Sequence, residues 1–318
     1  MKDNPEISVI FPVHNEQDNL IPLHAEIKEV LGSRLTYELI FVDDGSKDNS
    51  YAVLAKIAAA DKKVRVVRLL SNYGQSSALA AGISISKGAI IVTMDSDRQH
   101  DPRDILRLVG KVKEGFHVVC GWRKDRGNSD SFFKKTIPSK LSNAMIKILT
   151  GVRLNDSTGG MRAFSRRVVE VIPLYGEMHR YLPLLATWKG FKVTELPITI
   201  RKRVAGKTKY TFKRIFRGFF DLITISFFVK YSTRPLHIFG TIGIFSLLSG
   251  FAIGSYYLYQ KFFLGIHLLY EVASLILTIM LVLLGMMFLG FGLIADMISY
   301  DAITSQKRES YLIEEVIN

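Results

Sequence analysis

The chain has 318 residues, 48% of them hydrophobic, and a formal net charge of +13, a length for one large domain or two small ones. Its single cysteine, Cys120, excludes an internal disulfide and agrees with a reducing compartment. The polar start Met1-Lys-Asp-Asn-Pro-Glu6 leads straight into an apolar run, so no secretory signal is expected.

In chain order, short apolar runs alternate with amphipathic segments over the first 120 residues. The patterning predicts strands at Ile7–Pro12, Glu38–Val42, Val64–Leu69, Ile90–Met94 and His117–Cys120. It predicts helices at Gln17–Leu31, Asp48–Ala59, Ser76–Ser86 and Asp104–Lys113. Such βαβα order builds an α/β domain with a mostly parallel sheet and helices on both faces. Ligands of these sheets bind beyond the carboxyl ends of the strands. Polar clusters fall at those ends: His14-Asn15-Glu16, Asp43-Asp44-Gly45-Ser46, Ser71-Asn72-Tyr73-Gly74-Gln75, Asp95-Ser96-Asp97 and Gly121-Trp122-Arg123. Turn chemistry or a helix cap explains any one of them, as Ser46 to Asp48 would cap the second helix. Five on one rim point to a shared site.

Asp95 and Asp97 stand just past a strand end, where carboxylates at i and i+2 can converge on one cation. Hard oxygen ligands suit Mg²⁺ or Mn²⁺, and such an ion is commonly shared with a diphosphate. The chain has neither a Gly-rich dinucleotide fingerprint nor a Walker-type loop. A metal is therefore expected to offset much of the diphosphate charge. A cap on the helix near Pro102 accounts for one of these carboxylates but not for both.

The segment from Arg126 to Thr150 is basic, with Phe132, Phe133, Ile137, Leu141 and Met145 near one helical face. Asn155 to Arg162 follows, and Gly159 and Gly160 permit a tight turn and close approach of backbone to ligand. Asp156 is the one acid in a long basic neighbourhood; the plain alternative is a turn residue or a partner of Arg162. From Arg201 to Arg234 there are ten Lys or Arg and one acid, Asp221, interleaved with Phe216, Phe219, Phe220 and other apolar residues. Basic residues alternating with aromatics describe helices lying in the headgroup zone.

Leu236–Tyr259 and Val272–Ala295 contain no Lys, Arg, Asp or Glu. As helices each reaches roughly 36 Å, enough to cross a hydrocarbon core of about 30 Å. Lys230 and Arg234 precede the first span, and Lys307 and Arg308 follow the second, so both termini are expected in the cytoplasm. Residues 236–318 carry a net −3, which leaves +16 on residues 1–235. A basic domain tethered by two spans is drawn to an anionic leaflet. Nucleic-acid binding is the weaker reading of this charge, since no nucleic-acid motif occurs. Gly250-x-x-x-Gly254 permits close helix packing, within the hairpin or in a homo-oligomer.

Together these motifs resemble an inverting glycosyltransferase of family 2 with the GT-A (Rossmann-like) fold, specifically the polyisoprenyl-phosphate glycosyltransferase group. The residues are Pro12-Val-His-Asn-Glu16, Val42-Asp-Asp-Gly-Ser46, Asn72-Tyr-Gly-Gln75, Asp95-Ser-Asp97 with Gln99, Gly121-Trp-Arg123, Asp156 with Gly159-Gly-Met-Arg162, and Arg203 to Lys209. The likeness covers about residues 6–235, and the two-span hairpin resembles the bacterial branch that loads sugar onto undecaprenyl phosphate. By this resemblance Pro12, His14, Glu16, Val42 and Asp44 line the nucleoside pocket, with Asn72 near the donor. Asp95, Ser96 and Asp97 hold ribose, metal and diphosphate, with Gln99 close by. Arg123, Arg201, Arg203 and Lys209 serve donor diphosphate or acceptor phosphate, and Asp156 matches the usual catalytic base. Arg98 departs from the family pattern, as does Gly206-Lys-Thr-Lys209, where a basic residue replaces the usual acid. No Gln-x-x-Arg-Trp pattern occurs, which argues against a processive synthase.

The expected organisation is a cytoplasmic catalytic domain at 1–200, basic interfacial helices at 201–235, a transmembrane hairpin at 236–300 and a cytoplasmic tail at 301–318. The expected reaction joins a UDP-sugar, glucose first, to polyprenyl phosphate at the cytoplasmic face of the plasma or inner membrane. A separate small membrane protein would flip the product. GDP-mannose is the alternative donor, and a non-catalytic nucleotide sensor is the alternative of another class.

Overall fold

Side-chain alternation sorts the core into two layers. In strand β1 (Ile7–Val13), Ile7, Val9, Phe11 and Val13 face one side of the sheet, while Ile10 faces the other. Strand β2 (Tyr37–Asp43) repeats this, with Leu39 and Phe41 on the first side and Ile40 and Val42 on the second. This period of two, buried on both faces, is what a central strand of a helix-covered sheet requires. The computed structural model describes residues 4–32, 34–123, 155–156, 159–172, 174, 178–201, 235–265, 272–304 and 311–317.

The remaining elements are α1 (Gln17–Leu31), α2 (Ser50–Ala60), β3 (Val64–Leu69), α3 (Gln75–Ile85), β4 (Ile90–Thr93), α4 (Arg103–Lys113) and β5 (Val118–Arg123). Then follow β6 (Arg162–Ser165), α5 (Arg166–Val171), a 3₁₀ turn at Met178–Arg180, α6 (Leu182–Trp188), β7 (Val193–Ile198), α7 (Pro235–Phe263), α8 (Val272–Thr304) and β8 (Ile313–Ile317). Helices α1, α2 and α4 cover the first face through Leu20, Leu23, Leu54, Ile105 and Leu108. Helices α3, α5 and α6 cover the second through Ala78, Val168 and Leu182.

The sheet order is β7-β5-β6-β4-β1-β2-β3-β8. Pairs β1–β2, β1–β4, β2–β3 and β5–β7 are parallel, while β4–β6, β5–β6 and β3–β8 are antiparallel. The predicted parallel half is present, and chain order reverses between β1 and β4, which opens a crevice beyond their carboxyl ends. Strand β6 was not predicted; four residues carrying a buried Arg162 show no strand period, and flanking strands alone order them.

The C-terminal segment, expected as a tail, supplies the eighth strand. Val66, Val67, Arg68 and Leu69 pair with Ile317, Val316, Glu315 and Ile313, and Leu70 N–H donates to the Leu312 carbonyl at 3.0 Å. Tyr311 is buried in the second core layer. The described residues accordingly fall into two units: those within Met1–Leu222 together with those within Arg308–Asn318, and those within Ile223–Lys307.

The second unit is the α7–α8 hairpin. Both helices are long and apolar enough to cross a membrane, with mean hydropathies of 1.8 and 2.7. They meet through small residues. A Cβ on Gly243 would lie 2.9 Å from the Gly285 carbonyl oxygen, and one on Gly250 would lie 2.8 Å from Val282 Cγ2. Ser246 Oγ donates to the Leu281 carbonyl at 2.7 Å. Gly250 thus serves the hairpin itself, while Phe245 and Met286 stay outward at 74% and 62% exposure. Those outward apolar side chains suit lipid rather than water.

Candidate functional site

The rim is cross-tied strand to strand. Ser96 Oγ donates to the Pro12 carbonyl at 2.9 Å, joining the ends of β4 and β1. Asp44 is buried, and its two carboxylate oxygens take the Tyr73 and Gly74 amides at 2.7 and 2.9 Å. That commits Asp44 to shaping the loop after β3. Gly45, at φ +63°, allows the same approach: a Cβ there would sit 2.7 Å from the Asn72 nitrogen. Val42 is fully buried in the second core layer. Its side chain therefore supports the rim from beneath and does not line a pocket, a correction to the expectation from resemblance.

His14 is held on three sides. Its Nδ1 lies 2.9 Å from the Asp44 carbonyl, which can only accept, so that nitrogen carries the proton. Nε2 then accepts from the Asn15 side-chain amide at 3.0 Å and faces the Asn72 side-chain amide nitrogen at 3.4 Å. Glu16 precedes α1 and accepts from the Asn19 side-chain amide at 2.6 Å. Its own amide donates to Ser50 Oγ at 2.9 Å, which ties the start of α1 to that of α2.

Asp95 stands at the crevice mouth with its side chain 35% exposed. Gln75 Nε2 donates to its Oδ1 at 2.9 Å, and His100 Nε2 lies 3.8 Å from Oδ2. Burial would raise this carboxyl, but His100, with Arg123 beyond it, holds it below the usual range. Gly160 presses against the same carboxylate; a Cβ there would fall 2.1 Å from Oδ2. Asp97 accepts from the Gln99 amide at 3.1 Å and from Gln99 Nε2 at 2.7 Å, and Arg98 between them adopts φ +58°. Among the described residues no set of three His, Cys, Asp or Glu is placed to hold a metal. Two part-exposed carboxylates, one of them kept ionised, instead fit an ion whose shell a ligand's phosphates complete.

Across β6 lies the second charged centre. Arg123 Nε and Nη2 donate to the two oxygens of Asp156 at 2.6 and 2.9 Å. Asp156 is buried, and its amide donates to Glu195 Oε1 at 2.9 Å, while Asn155 N–H donates to Oε2 at 2.8 Å. Gly159 allows this loop to cross β5, since a Cβ would meet the Gly121 carbonyl at 2.6 Å.

Arg201 is engaged elsewhere than the expectation of phosphate binding implies. It donates to Glu26 at 2.6 Å and lies 3.1 Å from Asp101. Arg98 reaches the other Glu26 oxygen, so this exceptional cation of the Asp95–Asp97 turn faces a carboxylate on α1. Arg203 and Lys209 lie outside the described residues, as do the segments 126–150 and 211–234.

Three contributors had no sequence signal. His100 and His179 belong to no motif, and Glu195 sits in β7, outside the predicted strands. His179 Nδ1 lies 2.7 Å from Ser76 Oγ, and its carbonyl accepts from the buried Arg162. Burial pushes this imidazole down to about 3, with Arg162 and Arg180 adding to the effect. It is therefore neutral at physiological pH.

The chain is similar to several known proteins. The family model described as Glycosyl transferase family 2 matches residues 8–172. Dodecaprenyl-phosphate galacturonate synthase of Rhizobium johnstonii is 31% identical over 98% of this chain and 93% of its own length. Among solved structures, glucosyl-3-phosphoglycerate synthase from Mycobacterium tuberculosis with Mn²⁺, UDP-glucose and phosphoglyceric acid aligns with TM-score 0.55 and 20% identity, over 72% of this chain and 80% of that one. The same enzyme with phosphoglyceric acid alone gives 0.53 and 22%, over 72% and 81%. These likenesses speak to the fold.

Proposed function

The chain belongs to glycosyl transferase family 2, and we propose that it transfers a hexosyl group, glucose first among candidates, from a UDP-sugar to undecaprenyl phosphate. The wider class, sugar transfer to a polyprenyl phosphate, rests on the near full-length likeness to the Rhizobium synthase. The observation that carries the reading is the meeting of the Asp95–Asp97 turn with the Arg123–Asp156 pair, brought beside each other by Gly160.

Asp95 and Asp97 would hold Mg²⁺ or Mn²⁺, which when bound supplies positive charge to the leaving diphosphate. Gln75 and His100 orient Asp95 for that task. A lipid phosphate oxygen attacks the anomeric carbon from the face opposite UDP. The new C–O bond forms as the bond to UDP breaks, and configuration inverts. A phosphate monoester has a second pKa near about 6, so the nucleophile is largely dianionic in the cytoplasm and needs little help from a base. Asp156, with both oxygens occupied by Arg123, then acts by aiming that guanidinium at phosphate.

The sheet is compatible with the orientation read from the basic flanks. Strand β8 belongs to the same unit as β1–β7, so the chain leaves that unit into α7 and returns to it after α8. Two crossings satisfy this, and the basic flanks favour a cytoplasmic domain in the inner or plasma membrane. The galacturonate in the relative's name supports a second donor, UDP-galacturonate.

The test is a reconstitution. Purified protein is incubated with undecaprenyl phosphate, Mg²⁺ or Mn²⁺, and UDP-glucose, UDP-galacturonate or GDP-mannose. Lipid-linked glucose is the expected product, and absence of product from every donor would overturn the enzyme reading.

A further inference from the structure

A cavity of about 500 Å³ opens at the ends of β1, β2, β3 and β8. His14, Ser46, Lys47, Arg68 and Asn72 line it, and so does Glu314, from the strand that follows the membrane hairpin. The resemblance puts His14 in the nucleoside pocket, and we propose that Glu314, which shares its cavity, is a specificity-determining residue of that pocket, accepting a hydrogen bond from a base N–H. The proposal rests on the nucleotide-sugar reading above and extends it to a part of the chain far along in sequence.

Placement supports it first. In the order β4-β1-β2-β3-β8, three strand spacings, about 14 Å, separate β4 from β3. A donor whose diphosphate lies at Asp95 and Asp97 runs along the crevice, and its base end reaches the rim of β2 and β3. Chemistry supports it second. Arg68 Nε binds Glu314 Oε2 at 3.2 Å and rests over the Tyr51 ring at 4.5 Å, so the carboxylate is held in place. Oε1 retains lone pairs for a ligand. A carboxylate there attracts N–H groups of a base and repels phosphate, which orients the donor with its diphosphate toward the metal turn. Asp44, another acid at this end, already spends both oxygens on the Tyr73 and Gly74 amides.

Strand β8 has a second anchor that does not line the cavity. Tyr51 Oη donates to Glu315 Oε2. The two anchors allow a base contact to be separated from mere attachment of the strand.

Binding of UDP, GDP and N3-methyl-UDP is measured by calorimetry on the full-length protein in detergent with Mn²⁺. Wild type is expected to bind UDP about tenfold tighter than N3-methyl-UDP, the size expected for one bond to a charged acceptor. Glu314→Ala should weaken UDP by a similar factor and erase the methyl discrimination. Tyr51→Phe should loosen the strand, seen as a lower melting temperature, and keep the discrimination. Equal UDP affinity in wild type and Glu314→Ala overturns the proposal, as does equal weakening by Glu314→Ala and Tyr51→Phe with discrimination intact. Wild type that binds neither UDP nor GDP overturns the nucleotide-sugar reading itself.

Discussion

Asp156 and Arg123 form a two-point ion pair, with guanidinium nitrogens 2.6 and 2.9 Å from the two carboxylate oxygens. Protonating that carboxylate would remove the charge that holds Arg123. Asp156→Asn should therefore lower kcat/KM about 10²-fold, or roughly 3 kcal/mol, the scale of unpairing a buried charge. The deficit should be the same at about pH 6 and pH 9, because it reflects Arg123 placement. A deficit that shrinks as pH rises would instead identify a base, since the dianionic acceptor needs none at high pH.

Gly160 and Asp95 are matched in size. The 2.1 Å approach of a Cβ to Oδ2 means that Gly160→Ala must displace the carboxylate or the loop. We expect the Mn²⁺ concentration for half-maximal activity to rise by about tenfold, the weight of one misplaced ligand-orienting contact. Unchanged metal dependence would show that Asp95 moves freely.

Glu26 receives Arg98 and Arg201 together. Burial pushes its carboxyl up, but the Arg98 and Arg201 bonds outweigh this and hold it below the usual range. Its folded value is thus depressed, and the stability it contributes is present above about 4.3 and fades as pH falls through the folded value. If Arg201 acts only through this pair, Glu26→Ala and Arg201→Ala should cause similar defects that do not add. A larger loss of acceptor turnover in Arg201→Ala would support direct phosphate binding.

His179 is buried neutral at about 3. The unfolded chain takes up that proton near about pH 6.5. Between those values the unfolded state binds more protons, so stability falls as pH falls. His179→Gln should flatten this part of the slope in melting temperatures recorded from about pH 6.5 to pH 4. A slope identical to wild type would mean that the ring is solvated.

In the hairpin, Gly243 and Gly285 bring two backbones together. Gly243→Leu should force α7 and α8 apart and lower the melting temperature in detergent, with an overpacking cost of about 1–3 kcal/mol. Leucine at outward Phe245 should change little. Equal effects at both positions would argue against this packing.

Local pattern carried the parallel half of the sheet, both long apolar helices and the Asp95–Asp97 turn. Strands β1 to β4 are read from runs of Val and Ile because such strands are buried on both faces. Strands β6 and β8 were not legible. Arg162-Ala-Phe-Ser165 and Ile313-Glu-Glu-Val-Ile317 lack a usable period, and each exists only because neighbours offer a free edge. The site divides in the same way. Each polar cluster was visible at a strand end, but Asp156 could equally have faced Arg162, and nothing marked His100, His179 or Glu195.

By itself the sequence determined which chemistry the chain carries: two carboxylates after a strand, a stretch rich in Lys, Arg and Phe, and two long charge-free runs. Periodicity and residue type suffice for these, because they are local properties. Tertiary structure alone decided the partners. It gave Arg123 to Asp156, Arg98 and Arg201 to Glu26, and Glu314 to the rim beside His14. Such pairings join residues 33 to hundreds of positions apart, and only the strand order brings them within reach.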